Sequence, residues 1–114
     1  MSAGSFAERQ FYNQEQAFLE LIAHIKELHR VDSSRVYLTG LSRGGHGTWG
    51  LTSRIGEQFA ASCPIAGALH GVDDYSKFRQ IPIWGAHNTE DPLVDYKLAA
   101  EAAQKIEATG GEAF

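Results

Sequence analysis

The sequence predicts an α/β fold: a three-layer α/β/α arrangement around a parallel sheet of about three strands, with flanking helices. Two observations carry this. Three apolar-rich runs, RVYLTG (35–40), FAASCPIAG (59–67) and IPIWGAH (81–87), have the length and residue types of buried strands. They alternate with segments of helical length, and that alternation builds parallel sheets covered on both faces. Right-handed crossovers then set the three strands side by side.

The elements follow in order. Asn13 is placed to cap a helix, and Gln16 at its third position completes a variant capping box. Phe18, Leu21, Ile22, Ile25 and Leu28 recur at helical spacing and form an apolar face. His24 and His29 flank that face as surface or boundary residues. VDSS (31–34) is turn chemistry, and the first strand ends at Gly40. A helix over 44–55 is expected despite its glycines. The second strand lies within 59–67, and the polar stretch 71–80 is a connection with one helical turn. The third strand spans 81–87. After NTEDP, a helix over about 95–109 carries Leu98, Ala99, Ala102 and Ile106 on one face. Glu101 and Lys105 are spaced as an i,i+4 pair, and Gly110-Gly111 stop the helix. EAF (112–114) opens a fourth strand. The strand ends at Gly40, near Gly67 and near His87–Asp91 share one edge, where open parallel sheets bind ligands.

Composition narrows the function classes. The chain has 114 residues, 43% hydrophobic and 21% charged, as globular chains do. A net charge of -4 with scattered Lys and Arg argues against nucleic acid or an anionic membrane surface as partner. No run approaches a membrane span, and the N-terminus lacks the basic start and apolar run of a signal peptide. Localisation stays open. The single cysteine, Cys63, sits in an apolar run and reads as a buried small hydrophobe rather than a reactive thiol.

The stretch GLSRGGHGTWG (40–50) holds five glycines. A linker does not fit, because periodic apolar segments flank it closely. A phosphate-binding loop requires a lysine where His46 stands. GHGTWG (45–50) matches the dinucleotide fingerprint literally, with Asp73 at a suitable distance. Its first glycine does not follow the strand at once, however, and Trp49 crowds the helix start. The reading that fits the context is G-x-S-x-G over Gly40-Leu41-Ser42-Arg43-Gly44, joining a strand directly to a helix. A serine on so sharp a turn takes strained backbone dihedrals. Gly40 and Gly44 are expected to remove the collision two residues either side of it. Gly45 and Gly47 are expected to let the helix approach the sheet.

With these residues in view, RVYLTGLSRGGHGTWGL, FAASCPIAG and IPIWGAHNTEDPLV resemble the α/β-hydrolase superfamily. More narrowly, they resemble serine esterases of the polyhydroxybutyrate-depolymerase, feruloyl-esterase and phospholipase/carboxylesterase type. The resemblance runs from about Asn13 to Gly111. It implies a single partial α/β-hydrolase domain over 1–114, from the strand before the nucleophile turn through the helix after the acid loop. Ser42 would be the nucleophile, and the Arg43 backbone N–H one donor of the oxyanion hole. Arginine departs from the family's apolar or amide side chain at that position. It would bias the pocket toward anionic or polar substrates, or simply form a surface salt bridge. HNTEDPLV (87–94) matches the family's acid loop except that Asn88 replaces glycine, which makes Asp91 the acid. Glu90, Asp73 and Asp74 are weaker candidates, and Asp91 would equally serve to start a turn and cap a helix.

The family order is nucleophile, acid, histidine. All five histidines, His24, His29, His46, His70 and His87, precede Asp91. His46 lies on the helix after the turn, His87 falls at a structural position of the family, and His70 lies near the ligand edge. The base is therefore expected beyond Phe114, and the second oxyanion donor before Met1. The resemblance implies a carboxylic-ester hydrolase working through an acyl-enzyme on Ser42, with a small-molecule or polymer ester as substrate and no metal or cofactor. His70 and Trp84 are candidate pocket residues, while Trp49 reads as core. The competing expectation is an inactive or complemented hydrolase fragment serving as a binding module. A compact enzyme using His46 or His70 as base is a third. Unpaired sheet edges would favour self-association.

Overall fold

A computed structural model describes residues 15–68 and 75–114 of the chain. Helix α1 (Glu15–Leu28) leads through a 3₁₀ turn (Ser33–Arg35) to strand β1 (Tyr37–Leu41) and at once to helix α2 (Arg43–Ile55). A second 3₁₀ turn (Gly56–Gln58) leads to β2 (Ala61–Ile65), and a third (Ser76–Arg79) precedes helix α3 (Tyr96–Ala108). The expected Asn13 cap lies outside the described residues.

β1 and β2 pair in parallel, with Tyr37 opposite Ala61 and Leu41 opposite Ile65. The expected third strand continues the sheet as two isolated parallel bridges, Ser62 with Ile83 and Ile65 with Ala86. Four backbone bonds tie it to β2: Ser62 N–H to Pro82, Trp84 N–H to Ser62, Ala86 N–H to Pro64 and Ala66 N–H to Ala86. The missing rung is the one residue 64 would donate to Trp84. Pro64 has no N–H, so the ladder breaks in the middle. Residues 112–114 add a fourth parallel position, with Ile83 N–H bonded to Glu112 and Phe114 N–H to Ile83. The sheet order is therefore β1, β2, 82–86, 112–114.

Two apolar clusters fill the face carrying Leu38 and Ile83. One joins Trp49, Phe78, Ile83, Ala102, Ile106 and Ala113. Trp49 meets Phe78 edge-on at 6.1 Å between ring centroids, a geometry worth about 0.5–1.5 kcal/mol beyond burial. The other joins Leu51, Ile55 and Phe59 with Phe18, Leu19 and Ile22 of α1 and Val36 and Leu38 of β1. A buried hydroxyl contact, Thr52 Oγ1 to Ser62 Oγ at 2.7 Å, ties α2 to β2. Among the described residues, helices pack on this face only. The opposite face presents Tyr37, Leu41, Trp84 and Phe114, each more than 60% exposed.

Several expectations change. α1 packs through Phe18, Leu19 and Ile22, while Leu21, Ile25 and Leu28 are exposed. The helix touches only the shoulder of α2 and β1, so a narrower stripe is covered than the apolar pattern offers. On α3, Ala102 and Ile106 are buried and Ala99 packs against the core, but Leu98 faces solvent. Lys105 lies over the Tyr75 ring at 5.8 Å instead of pairing with Glu101. An exposed i,i+4 pair contributes only about 0.3–0.5 kcal/mol, so an aromatic face nearby competes. Cys63 is half-buried rather than buried.

Gly110-Gly111 end α3 as expected. Gly110, at φ 92°, donates to Glu107 and Gly111 donates to Ile106, a Schellman stop.

The glycines of the turn divide sharply. A Cβ on Gly40 would run into the Gly44 carbonyl, and one on Gly45 would come within 2.5 Å of the Ile65 carbonyl oxygen. A Cβ on Gly44 would meet nothing within 4 Å among the described residues, so Gly44 is not needed to relieve a clash. Gly40→Ala and Gly45→Ala should each destabilise by about 1–3 kcal/mol or more in urea unfolding. Gly44→Ala should be neutral or stabilise by up to about 1 kcal/mol. Equal losses at all three positions would refute this account.

Candidate active site

Ser42 sits between β1 and α2 with φ 58° and ψ -109°, a conformation that a residue with a side chain rarely holds. Two backbone bonds fix it. Its N–H donates to Ile65 O at 2.8 Å, and its C=O accepts from His46 N–H at 3.0 Å. The first tie runs to the end of β2, and the second is the first helical bond of α2. The turn is thus clamped between sheet and helix, and the exposed side chain makes no capping bond to the helix.

The chain can hold this angle because of close approaches beneath it. Gly40 passes against the Gly44 backbone, and Gly45 against Gly67 after β2. The helix N-terminus lies directly under the serine. Its first N–H groups, beginning with Arg43, have no intrahelical carbonyl to bond and carry the positive end of the helix dipole. A developing negative oxygen next to Ser42 is favoured at such a place.

The ends of three parallel segments meet on this edge. β1 delivers Ser42, β2 delivers Ala66, which has φ 54°, and the third segment delivers His87 and the loop 88–94. In that loop Asn88 accepts from Asp91 N–H through its carbonyl and from Glu90 N–H through Oδ1. Asp91 Oδ1 accepts from Leu93 N–H at 2.9 Å and Val94 N–H at 3.1 Å. These two amides, Leu93 first and then Val94, hold the Asp91 carboxyl below its ordinary pKa of 3.8 against the opposing effect of partial desolvation. The nearby His87 pulls in the same direction.

The histidines have other work. His46 accepts the Ala68 N–H on Nδ1 at 2.8 Å, tying α2 to the chain after β2. The Ala68 carbonyl lies 3.1 Å from the same nitrogen. One nitrogen cannot accept and donate at once, so the amide bond sets the Nε2–H tautomer. Among the described residues no hydrogen bond joins the Ser42 hydroxyl to an imidazole. His24 and His29 are exposed. His70, Asp73 and Asp74 lie outside the described residues.

Trp84, expected near the pocket, lies in an apolar groove on the open face with Tyr37, Cys63 and Phe114, and that groove includes neither Ser42 nor Asp91. Sequence reasoning overlooked a cavity of about 320 Å³ between α3 and the third segment, lined by Trp49, His87, Tyr96 and Phe114 among others. Trp49 Nε1 and His87 Nδ1 are buried without partners in the described structure. A polar atom at the end of a strand, followed by an amphipathic helix, is the signal that points there.

No family model matches the chain. It is 35% identical over 79 residues, 68% of its length, to a bifunctional acetylxylan esterase/xylanase of Neocallimastix patriciarum. It is 40% identical over 48 residues, 42% of its length, to poly(3-hydroxyalkanoate) depolymerase C of Paucimonas lemoignei. The chain spans 12% of the length of each of these relatives. Among solved structures, a thermostable esterase superposes with a TM-score of 0.80 at 34% identity, covering 86% of this chain and 26% of that one. Arabidopsis thaliana SOBER1 superposes with a TM-score of 0.71 at 17% identity, covering 90% and 50%, which speaks for the fold alone. The serine turn, the parallel edge and these likenesses together support an esterase-like, partial α/β-hydrolase fold for this chain.

Proposed function

We propose that residues 1–114 are one part of a single hydrolase domain that cleaves carboxylic esters through an acyl-enzyme on Ser42. The observation that carries this reading is the Ser42 backbone at φ 58° on a strand–helix turn. Strain of this kind holds an exposed hydroxyl over a helix N-terminus and has no packing purpose of its own. The relatives named as an acetylxylan esterase and a polyhydroxyalkanoate depolymerase support an ester as substrate, either on a small molecule or along a polymer.

The chemistry follows. Ser42 Oγ attacks the ester carbonyl while a histidine, supplied by the gene product beyond Phe114, takes its proton. The carbonyl oxygen becomes an oxyanion that accepts from the Arg43 N–H at the start of α2. The histidine returns the proton to the leaving alcohol. Water, activated by the same histidine, then releases the acid and restores Ser42. Asp91, anchored by two amides through Oδ1, orients that histidine and stabilises its charged form. In the described structure His46 and His87 set a ring nitrogen against backbone groups of Ala68 and Val94 respectively, and neither is hydrogen-bonded to the Ser42 hydroxyl.

A fluorophosphonate probe should label the full-length gene product on Ser42, and the label should vanish in Ser42→Ala. A folded full-length protein that stays unlabelled would favour the alternative, an inactive or complemented module that keeps the serine turn as a binding scaffold. Persistent labelling in Ser42→Ala would remove the site assignment.

Asp91→Asn should lower kcat by about 10²–10⁴-fold while KM changes little. Its effect on stability has a defined sign. The folded pKa lies below 3.8, so the ionised Asp91 contributes stability that is present above that value and lost as pH falls through the lower folded one. The melting temperature of Asp91→Asn should therefore fall less steeply than the parent's in acid titration below about pH 4.

A further inference from the structure

The His87 side chain is 7% exposed, and the residue follows the third sheet segment, four residues before Asp91. Its Nε2 lies 2.8 Å from the Val94 carbonyl oxygen. A carbonyl only accepts, so Nε2 carries the proton and donates it to Val94. The same nitrogen lies 3.4 Å from Asp91 Oδ2. That distance is long for a direct hydrogen bond, but it sets the N–H dipole beside the carboxylate. Val94 in turn donates its own N–H to Asp91 Oδ1 at 3.1 Å.

These contacts close a ring of three residues. His87 holds the Val94 carbonyl, the Val94 amide holds Asp91 Oδ1, and Asp91 Oδ2 faces back to His87. With both main-chain groups of Val94 engaged, its backbone dihedrals are fixed. The amide that orients Asp91 is fixed with them. The imidazole is the only side chain in the ring besides the carboxylate itself. Its other nitrogen, Nδ1, is buried without a partner in the described structure, so the ring is held in place by the contacts of Nε2 and by packing.

We propose that His87 is a positioning residue for Asp91. By donating from Nε2 to Val94 it locks the 88–94 loop so that Asp91 Oδ1 stays on its two amides and Oδ2 keeps a lone pair for the incoming base. This rests on the reading of Asp91 as the acid of the triad. Among the described residues the polar contacts of His87 run to Val94 and Asp91, not to Ser42. Catalytic groups must be held within about 0.5 Å of the productive geometry, and a displacement near 1 Å costs about 10²-fold. A loop fixed only by its own Asx turn would lack that restraint.

The test uses the full-length gene product and p-nitrophenyl acetate, with four variants and a melting curve for each. His87→Leu keeps volume and removes the donor. His87→Gln places an amide N–H near the position of Nε2, whereas His87→Asn is one carbon too short to reach Val94. His87→Leu and His87→Asn should lower kcat by about tenfold or more with KM within about twofold. His87→Gln should recover most of the loss, which a merely space-filling role would not produce. Should His87→Leu fail to fold, the comparison of Gln with Asn decides. A Gln variant no better than Asn or Leu, or a folded Leu variant with the parent's kcat, overturns the proposal. Asp91→Asn separates the two readings: if it leaves kcat unchanged, Asp91 is not the acid and the premise itself fails.

Discussion

The whole arrangement depends on one close approach, the passage of the α2 N-terminus over the ends of β1 and β2. Gly45 and Gly67 come so near that a Cβ on Gly67 would strike the Gly45 backbone, while one on Gly45 would strike the Ile65 carbonyl oxygen. Gly40 clears the Gly44 carbonyl in the same way. Only at this separation does the Ser42 N–H reach Ile65 O at 2.8 Å while its carbonyl begins the helix. The strain at Ser42, about 1–3 kcal/mol for such a residue, persists because bonds on both sides overdetermine it. Further along α2, Thr48, Thr52 and Trp49 carry the constraint into the core. Thr48 and Thr52 donate back to helix carbonyls, Thr52 also meets Ser62, and Trp49 packs on Phe78.

The loop that carries Asp91 is organised differently. The Ser42 turn is fixed by backbone proximity, whereas the loop 88–94 is fixed by side chains that mimic backbone. Asn88 and Asp91 each accept from an amide two residues on, and His87 closes the loop from the strand side. Asn88 contributes one of these bonds through its side-chain oxygen, which adds a restraint to the loop. The two parts need not move together. One is a rigid junction between sheet and helix, the other a hydrogen-bonded loop whose geometry rests on a few polar contacts.

Much of this was legible in the chain itself. The apolar runs placed β1 and β2, the glycine pair placed the end of α3, and the G-x-S-x-G pattern placed the turn. What misled was local periodicity taken as burial. Leu21, Ile25, Leu28 and Leu98 repeat at helical spacing but stay exposed, because the neighbouring elements cover a narrower stripe than the pattern allows. Pro64 was readable as an apolar strand residue, yet the interruption it makes depends on which neighbour its missing N–H would have faced. Gly44 looked equivalent to Gly40 because the motif is symmetric in sequence, while the turn is not symmetric in space.

By itself the sequence determined the alternation of strands and helices, the turn at Ser42 and the order in which Ser42 and Asp91 reach one edge of the sheet. These follow from residue type and spacing, which act over a few neighbours. The tertiary structure alone decided how the histidines are used. His46 and His87 each place one ring nitrogen against a backbone group, Ala68 across 22 residues and Val94 across seven. An imidazole serves as base, ligand or brace according to what meets its two nitrogens, and only the folded chain brings those groups together.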